Sequence, residues 1–276
     1  MLISVKAGRF QKYITFFRMR FIGGLQYRAA ALAGVVTQFA WGSLELLVYR
    51  ALYEMSPEAF PMSIKELSAY IWLRQALLTL FMPWYYDNDI FASIRDGSIA
   101  YELSRPVNIY YMWFTRAMAG RLSRMILRCL PIVVVAVFVP EPYGLRLPKD
   151  VFCALCFLVT AFVGLVVVVA FSMLIYISAF YTVSTDGLRY LFSPVIEFMA
   201  GSLIPIPFMP EGVKRIVEIL PFASMQDIPL RVYSGNMAGR ELLIKAGLQL
   251  FWAVALIIIG RLWVHFAIKR VVVQGG

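Results

Sequence analysis

Three ionisable side chains interrupt long apolar runs in this sequence: Glu45, Arg74 and Glu197. An ionised group in hydrocarbon costs on the order of 3 kcal/mol on insertion scales, so such residues face a partner or a water-filled cavity. Glu45 and Arg74 have opposite sign, and a structural ion pair accounts for them as well as a place on a pathway does. Glu197 shares its segment with Pro194, Gly201 and Ser202, which suits a transport pathway. Bond chemistry has less to draw on. His265 is the single histidine, whereas a zinc-protease helix carries two in H-E-x-x-H, and no G-x-S-x-G is present. No glycine is followed by lysine, so the phosphate-cradling G-x-x-x-x-G-K-[ST] loop is missing. Cys153 and Cys156 have C-x-x-C spacing, but they open an uncharged run where two small hydrophobes on one helix face explain them better than metal or redox chemistry. Cys129 is the third cysteine, and three cannot build a disulfide framework.

The elements that position these residues must be membrane helices. Of the 276 residues 61% are hydrophobic and only 15% charged, against about 25% charged in soluble domains. That excludes an ordinary cytosolic enzyme, a disordered chain and a nucleic-acid-binding module. A span needs about 20 mostly apolar residues. Residues 29–49 and 67–86 qualify, holding Glu45 and Arg74 respectively. In 107–140 only Cys129 to Pro140 is free of charge, so the span borrows preceding turns with Arg121, Arg124 and Arg128 snorkelling to headgroups. Residues 151–181, 188–207 and 242–264 complete six spans. Prolines 194, 205, 207, 210 and 221 remove backbone donors, so the fifth span ends in a broken or re-entrant element shielded from lipid. A short helix at 211–220 follows within an outer region, 208–241.

Charge sets the orientation. The net charge is +10, and six bases (Lys6, Arg9, Lys12, Arg18, Arg20 and Arg28) precede the first span with no acid among them. Arg95, Arg105 and Arg116 lie between spans two and three, and Lys269 and Arg270 follow the last span. The alternate connections are balanced or acidic, so both termini are expected to be cytoplasmic. Within residues 8–22, Phe10, Tyr13, Ile14, Phe17 and Phe21 fall in about 100° of helical arc with the bases elsewhere, the pattern of an interfacial helix. It can serve as an anchor or as a mechanical part, and Gly23-Gly24 hinges it to the first span.

The cytoplasmic link 87–106 carries the most information. Asn88 or Asp89 can cap a short helix that Gly97 stops. A second turn ends at Arg105-Pro106, because the residue before proline leaves the helical region. A rigid, mixed-charge helix of this kind suits docking of a soluble partner.

With these features the chain resembles the membrane permeases of ATP-binding cassette exporters of the type-2 class, in their small six-span bacterial branch. The core Arg95-Asp96-Gly97-Ser98-Ile99, then Leu103-Ser104-Arg105-Pro106, is similar to the family's R-x-G-x-[IL] and L-x-x-P. Gly201-Ser202-Leu203-Ile204-Pro205, Ile219-Leu220-Pro221-Phe222 and the ending Val271-Val272-Val273-Gln274-Gly275-Gly276 resemble that branch too. The resemblance implies an all-α integral membrane protein, one permease domain over 1–276, with six transmembrane helices after the interfacial helix. It implies that Ile94, Arg95, Gly97, Glu102, Arg105 and Pro106 couple to an ABC ATPase present in two copies. A second permease half, identical or homologous, and membrane lipids are the other implied partners, with no nucleic acid. Glu45, Arg74 and Glu197 become pathway candidates. This chain then holds no cofactor and is no enzyme, ATP and Mg being bound by the ATPase, and it belongs in the bacterial inner membrane as a multi-pass exporter subunit. An ion-coupled secondary transporter, or an intramembrane lipid-modifying enzyme, is the competing reading. Missing internal repeats weigh against the first, and the missing nucleophile–base and metal sets against the second.

Overall fold

The computed structural model describes residues 2–182 and 186–270, and among these every regular element is helical. Three helices are long and apolar enough to cross a membrane: α2 (Arg28–Met55) through its Ala31–Met55 stretch, α8 (Val151–Ser178) and α12 (Gly239–Ala267). The last two lie side by side and start at the same end. Asp150 caps α8, its carboxylate accepting from the Cys153 amide at 2.7 Å, and Leu242 of α12 packs near Cys156 and Phe157.

α1 (Leu2–Gly24) runs parallel to the first half of α7 (Ile109–Phe138). The Asn108 amide donates to the Tyr13 hydroxyl at 3.0 Å, and Gly24 lies so close to Ser123 that a β-carbon there would collide with its hydroxyl. The apolar stripe read from the sequence is divided by this packing. Tyr13, Phe17 and Phe21 are half-buried, while Phe10 and Ile14 stay 69% and 52% exposed.

The segment 67–86 is not one continuous helix. It forms α3 (Ile64–Ala76), breaks at Leu77, resumes as α4 (Leu78–Phe81) and ends there. Met82 precedes Pro83 and is extended (ψ 125°), as the steric clash with the proline ring requires. A capping box starts α3, with Ser63 and Glu66 satisfying each other's backbone amides. By contrast α7 is unbroken over 30 residues, about 45 Å, although Pro131 lies within it.

Beyond Thr182 the described chain resumes with α9 (Asp186–Met199), which leaves Tyr190, Leu191, Phe192, Val195 and Phe198 exposed. Gly201 then turns the chain at φ +76°, a conformation only glycine adopts readily. α10 (Glu211–Val217) lies within the 211–220 stretch, and a further helix, α11 (Ala223–Ser234), follows that the sequence reading lacked. The turn between them dips deep beside α8 and α12. The Trp252 indole donates to the Ile219 carbonyl at 2.8 Å, about 20 Å along α12 from its start at 1.5 Å per residue. Gln249 reaches both the Thr160 carbonyl (3.0 Å) and the Ser224 carbonyl (2.9 Å). Gly164 permits this approach, since a β-carbon there would sit 2.4 Å from the Met225 carbonyl oxygen.

Candidate functional site

The link between α4 and α7 forms two short helices, α5 (Asn88–Arg95) and α6 (Ile99–Leu103). Capping falls to Asp87, one residue before the two candidates: its carboxylate accepts from the Asp89 amide at 3.1 Å. The reason is spacing. An N-cap oxygen reaches an amide two or three residues on, and Asp87 is also fixed from outside the helix. Gly97 stands at φ +77° just past the end of α5, the left-handed stop that its type suggested. Asp96 closes the turn, accepting from the Ser98 amide at 2.9 Å. The Ser98 hydroxyl and amide together hold the Asp96 carboxyl below its ordinary range.

Behind these helices is a set of anchors. Ile90, Phe91 and Ile99 are buried, each contributing about 1.5–3 kcal/mol. Arg116 of α7, 9% exposed, pairs with Asp87 at 2.8 Å and Asp89 at 2.6 Å. The Asp87 amide donates to the Tyr176 hydroxyl of α8 at 2.6 Å. Glu102 accepts from the buried Trp113 indole at 2.9 Å. From α9, Arg189 donates to Asn88 at 3.2 Å and stacks 5.0 Å above both Tyr86 and Phe91. Three helices, α7, α8 and α9, therefore grip this link.

Arg121 overturns its sequence assignment. Expected to snorkel to headgroups, it is fully buried, donating to the carbonyls of Leu80 (3.3 Å), Met82 (2.8 Å) and Tyr85 (3.1 Å) and to the Ser172 hydroxyl (3.1 Å). The Leu80 and Met82 carbonyls lie where α4 stops before Pro83, and that of Tyr85 lies in the turn just beyond it. An unpaired buried carbonyl costs about 1–3 kcal/mol, and one guanidinium answers three. Pro83 in the sequence announced the orphaned carbonyls, and a base one helix away was the signal for their partner.

The opposite surface of the link is exposed. Arg95, Asp96, Ser104, Arg105 and Pro106 face outward, and Tyr101 is 76% exposed. Tyr101 was missed in the sequence because no family motif includes it. Of the other predicted residues, Ile94 is half-buried against the core and Glu102 is an inward anchor.

Far from this link, Glu45 and Arg74 meet as an ion pair, 17% and 5% exposed. Beside it the Gln38 amide donates to the Gln75 carbonyl at 3.1 Å. Four buried polar atoms in this α2–α3–α4 seam have no protein partner: Gln38 Oε1, Glu45 Oε1, Arg74 Nη1 and Thr79 Oγ1. Glu197 does not join them and instead bonds the Trp84 side chain. Cys153 donates to the Val232 carbonyl at 3.2 Å, and all three cysteines are unbridged. His265 packs against Phe266 near the end of α12, while the Val271–Gly276 ending lies outside the described residues.

Comparison with protein-family models matches residues 39–275 to ABC-2 family transporter proteins. The chain belongs to the ABC-2 transporter family. The match takes in α3 to α12 and most of α2, and it leaves α1 outside. No curated protein matches it. As an ABC-2 permease it is a membrane subunit and not itself the catalyst, ATP being hydrolysed by a separate subunit with which the family associates. Long apolar helices agree with a membrane location.

Proposed function

We propose that this permease forms half of an exporter's translocation pathway and receives force from its ATPase through residues 87–106. One observation carries the reading: the link is held rigidly from behind by Arg116, Tyr176, Trp113 and Arg189 while Tyr101, Arg95 and Arg105 stay exposed. A segment built this way transmits a push to α7 and α8 without deforming. Two ATPase copies, holding ATP and Mg, act beneath two permease halves, identical or homologous. The exposed apolar face of α9 supports the second half, since no other described residue of this chain covers it.

In this arrangement six segments cross the plasma membrane of a bacterium with both termini in the cytoplasm. α3 with α4, and α9 with the turn Ile206–Phe208, act as the interrupted second and fifth spans. α1 lies at the cytoplasmic interface beside α7. Glu45, Arg74 and the unpartnered polar atoms near them mark a hydrated stretch of the pathway, with Glu197 on its cytoplasmic side. Ion-coupled transport has weaker support, because Glu45 and Arg74 neutralise each other.

Co-purification tests the coupling. Tagged permease should retain the ATPase, and Gly97→Pro, which cannot adopt φ +77°, should release it and remove the permease's effect on ATP hydrolysis. Equal retention by Gly97→Pro would refute the assignment of 87–106.

A further inference from the structure

Arg124 and Arg128 lie one turn apart on α7, and like charges at that spacing repel. Among the described residues neither forms an ion pair with a carboxylate. Their neighbours on the same helix are treated differently: Arg116 has two aspartates and Arg121 has three carbonyls. Both unpaired arginines line a cleft of about 190 Å³ between α7 and the start of α2, with Tyr27, Ala31 and Leu127 as its other walls.

The cleft is built. Arg124 is stacked on the Tyr85 ring at 3.8 Å, so its guanidinium is placed from the protein side. Arg128 lies against Gly34, where a β-carbon would come within 2.4 Å of the guanidinium carbon. Glycine at 34 thus leaves room for the cation between the helices. Depth is set independently, because the apolar run of α2 begins at Ala29, directly after Arg28, which places Tyr27 and the cleft mouth at the edge of the hydrocarbon.

We infer that this cleft binds the phosphate of an anionic phospholipid, its acyl chains lying along the exposed apolar face of α2 at Leu32 and Val36. Guanidinium groups bind phosphate through paired hydrogen bonds, and bases at this depth attract anionic lipid. A bound phosphate relieves the Arg124–Arg128 repulsion and ties α2 to α7. The inference rests on the membrane placement of α2 and α7 and not on ATPase docking.

Native mass spectrometry of the permease in a neutral detergent, titrated with phosphatidylglycerol, tests it. The wild type should take up phosphatidylglycerol in preference to phosphatidylcholine. Arg124→Gln with Arg128→Gln should weaken that uptake about tenfold or more and leave phosphatidylcholine unchanged. Gly34→Leu, which keeps both charges but displaces Arg128, should weaken it as well and covers the case in which the double variant does not fold. Arg215→Gln, at an 81% exposed position on α10, should match the wild type. Undiminished phosphatidylglycerol binding by the folded double variant, or by Gly34→Leu, would overturn the site. Displacement of the lipid by millimolar inorganic phosphate would overturn the lipid assignment in favour of a soluble anion. Loss of ATPase retention in the Gly97→Pro experiment leaves this result untouched.

Discussion

The link 87–106 and the hairpin of α10 and α11 both bring short helices near α8, but α11 buries the kind of charges that the link exposes, while α10 keeps Glu211 and Arg215 exposed. The link buries Ile90, Phe91 and Ile99 and exposes Tyr101, Arg95 and Asp96. In the hairpin, Asp227 is 2% and Arg231 6% exposed, while Ile216 and Ile219 are more than 60% exposed. Arg231 donates to Glu241 and Asn236 at 2.8 Å and lies near Glu218, which also accepts from Lys245 at 2.7 Å. Tyr70 of α3 donates to Asp227 at 3.0 Å. The two regions differ in kind: the link leaves Arg95, Asp96 and Arg105 exposed, and α11 pairs its buried charges within the chain.

Breaking the hairpin should have the largest effect. Arg231→Leu leaves Asp227 and Glu218 buried without that cation and should cost about 3–5 kcal/mol, read as a fall in the melting midpoint of the purified permease. ATPase binding by whatever fraction stays folded should be normal. Arg121→Ala comes next. It orphans the Leu80, Met82 and Tyr85 carbonyls, should cost about 3 kcal/mol, and should weaken ATPase binding because the base of the link loosens. A smaller change is Glu102→Ala, which removes the acceptor of the Trp113 indole and should cost about 1–2 kcal/mol, with a modest loss of ATPase affinity in a binding titration. Smallest is the response to acid. The Asp96 carboxyl is held low, so the stability it lends the turn is present above its ordinary pKa and lost only as pH falls through the lowered value. Docking measured at pH 7 and pH 5 should be the same.

The contrast was half legible in the sequence. Gly97 and the prolines around 205–221 marked where helices stop, since each acts through local backbone geometry, whereas the stop at Pro83 was passed over when 67–86 was read as one span. Arg121 was not legible, because a base that caps buried carbonyls and a base that snorkels have the same sequence signature near a membrane interface. α11 escaped for a related reason: the charges of 208–241 balance as a sum, and only the fold brings Glu218, Glu241 and Lys245 to Asp227 and Arg231. The apolar stripe of α1 was read as one face, but periodicity does not say which of its side chains meet α7, and the packing divides it. Glu45 and Arg74, on separate elements, were paired on sign alone, whereas the link of Glu197 to Trp84 had no pattern to announce it.

The central claim is that the exposed surface of 87–106 docks the ATPase, and one affinity measurement tests it most directly. Tyr101→Glu combined with Arg95→Glu alters only exposed side chains, so the melting midpoint should not move. ATPase affinity for the reconstituted permease should fall about tenfold or more, the scale expected of an aromatic and an arginine anchor lost together. Wild-type affinity in that folded variant would contradict the account.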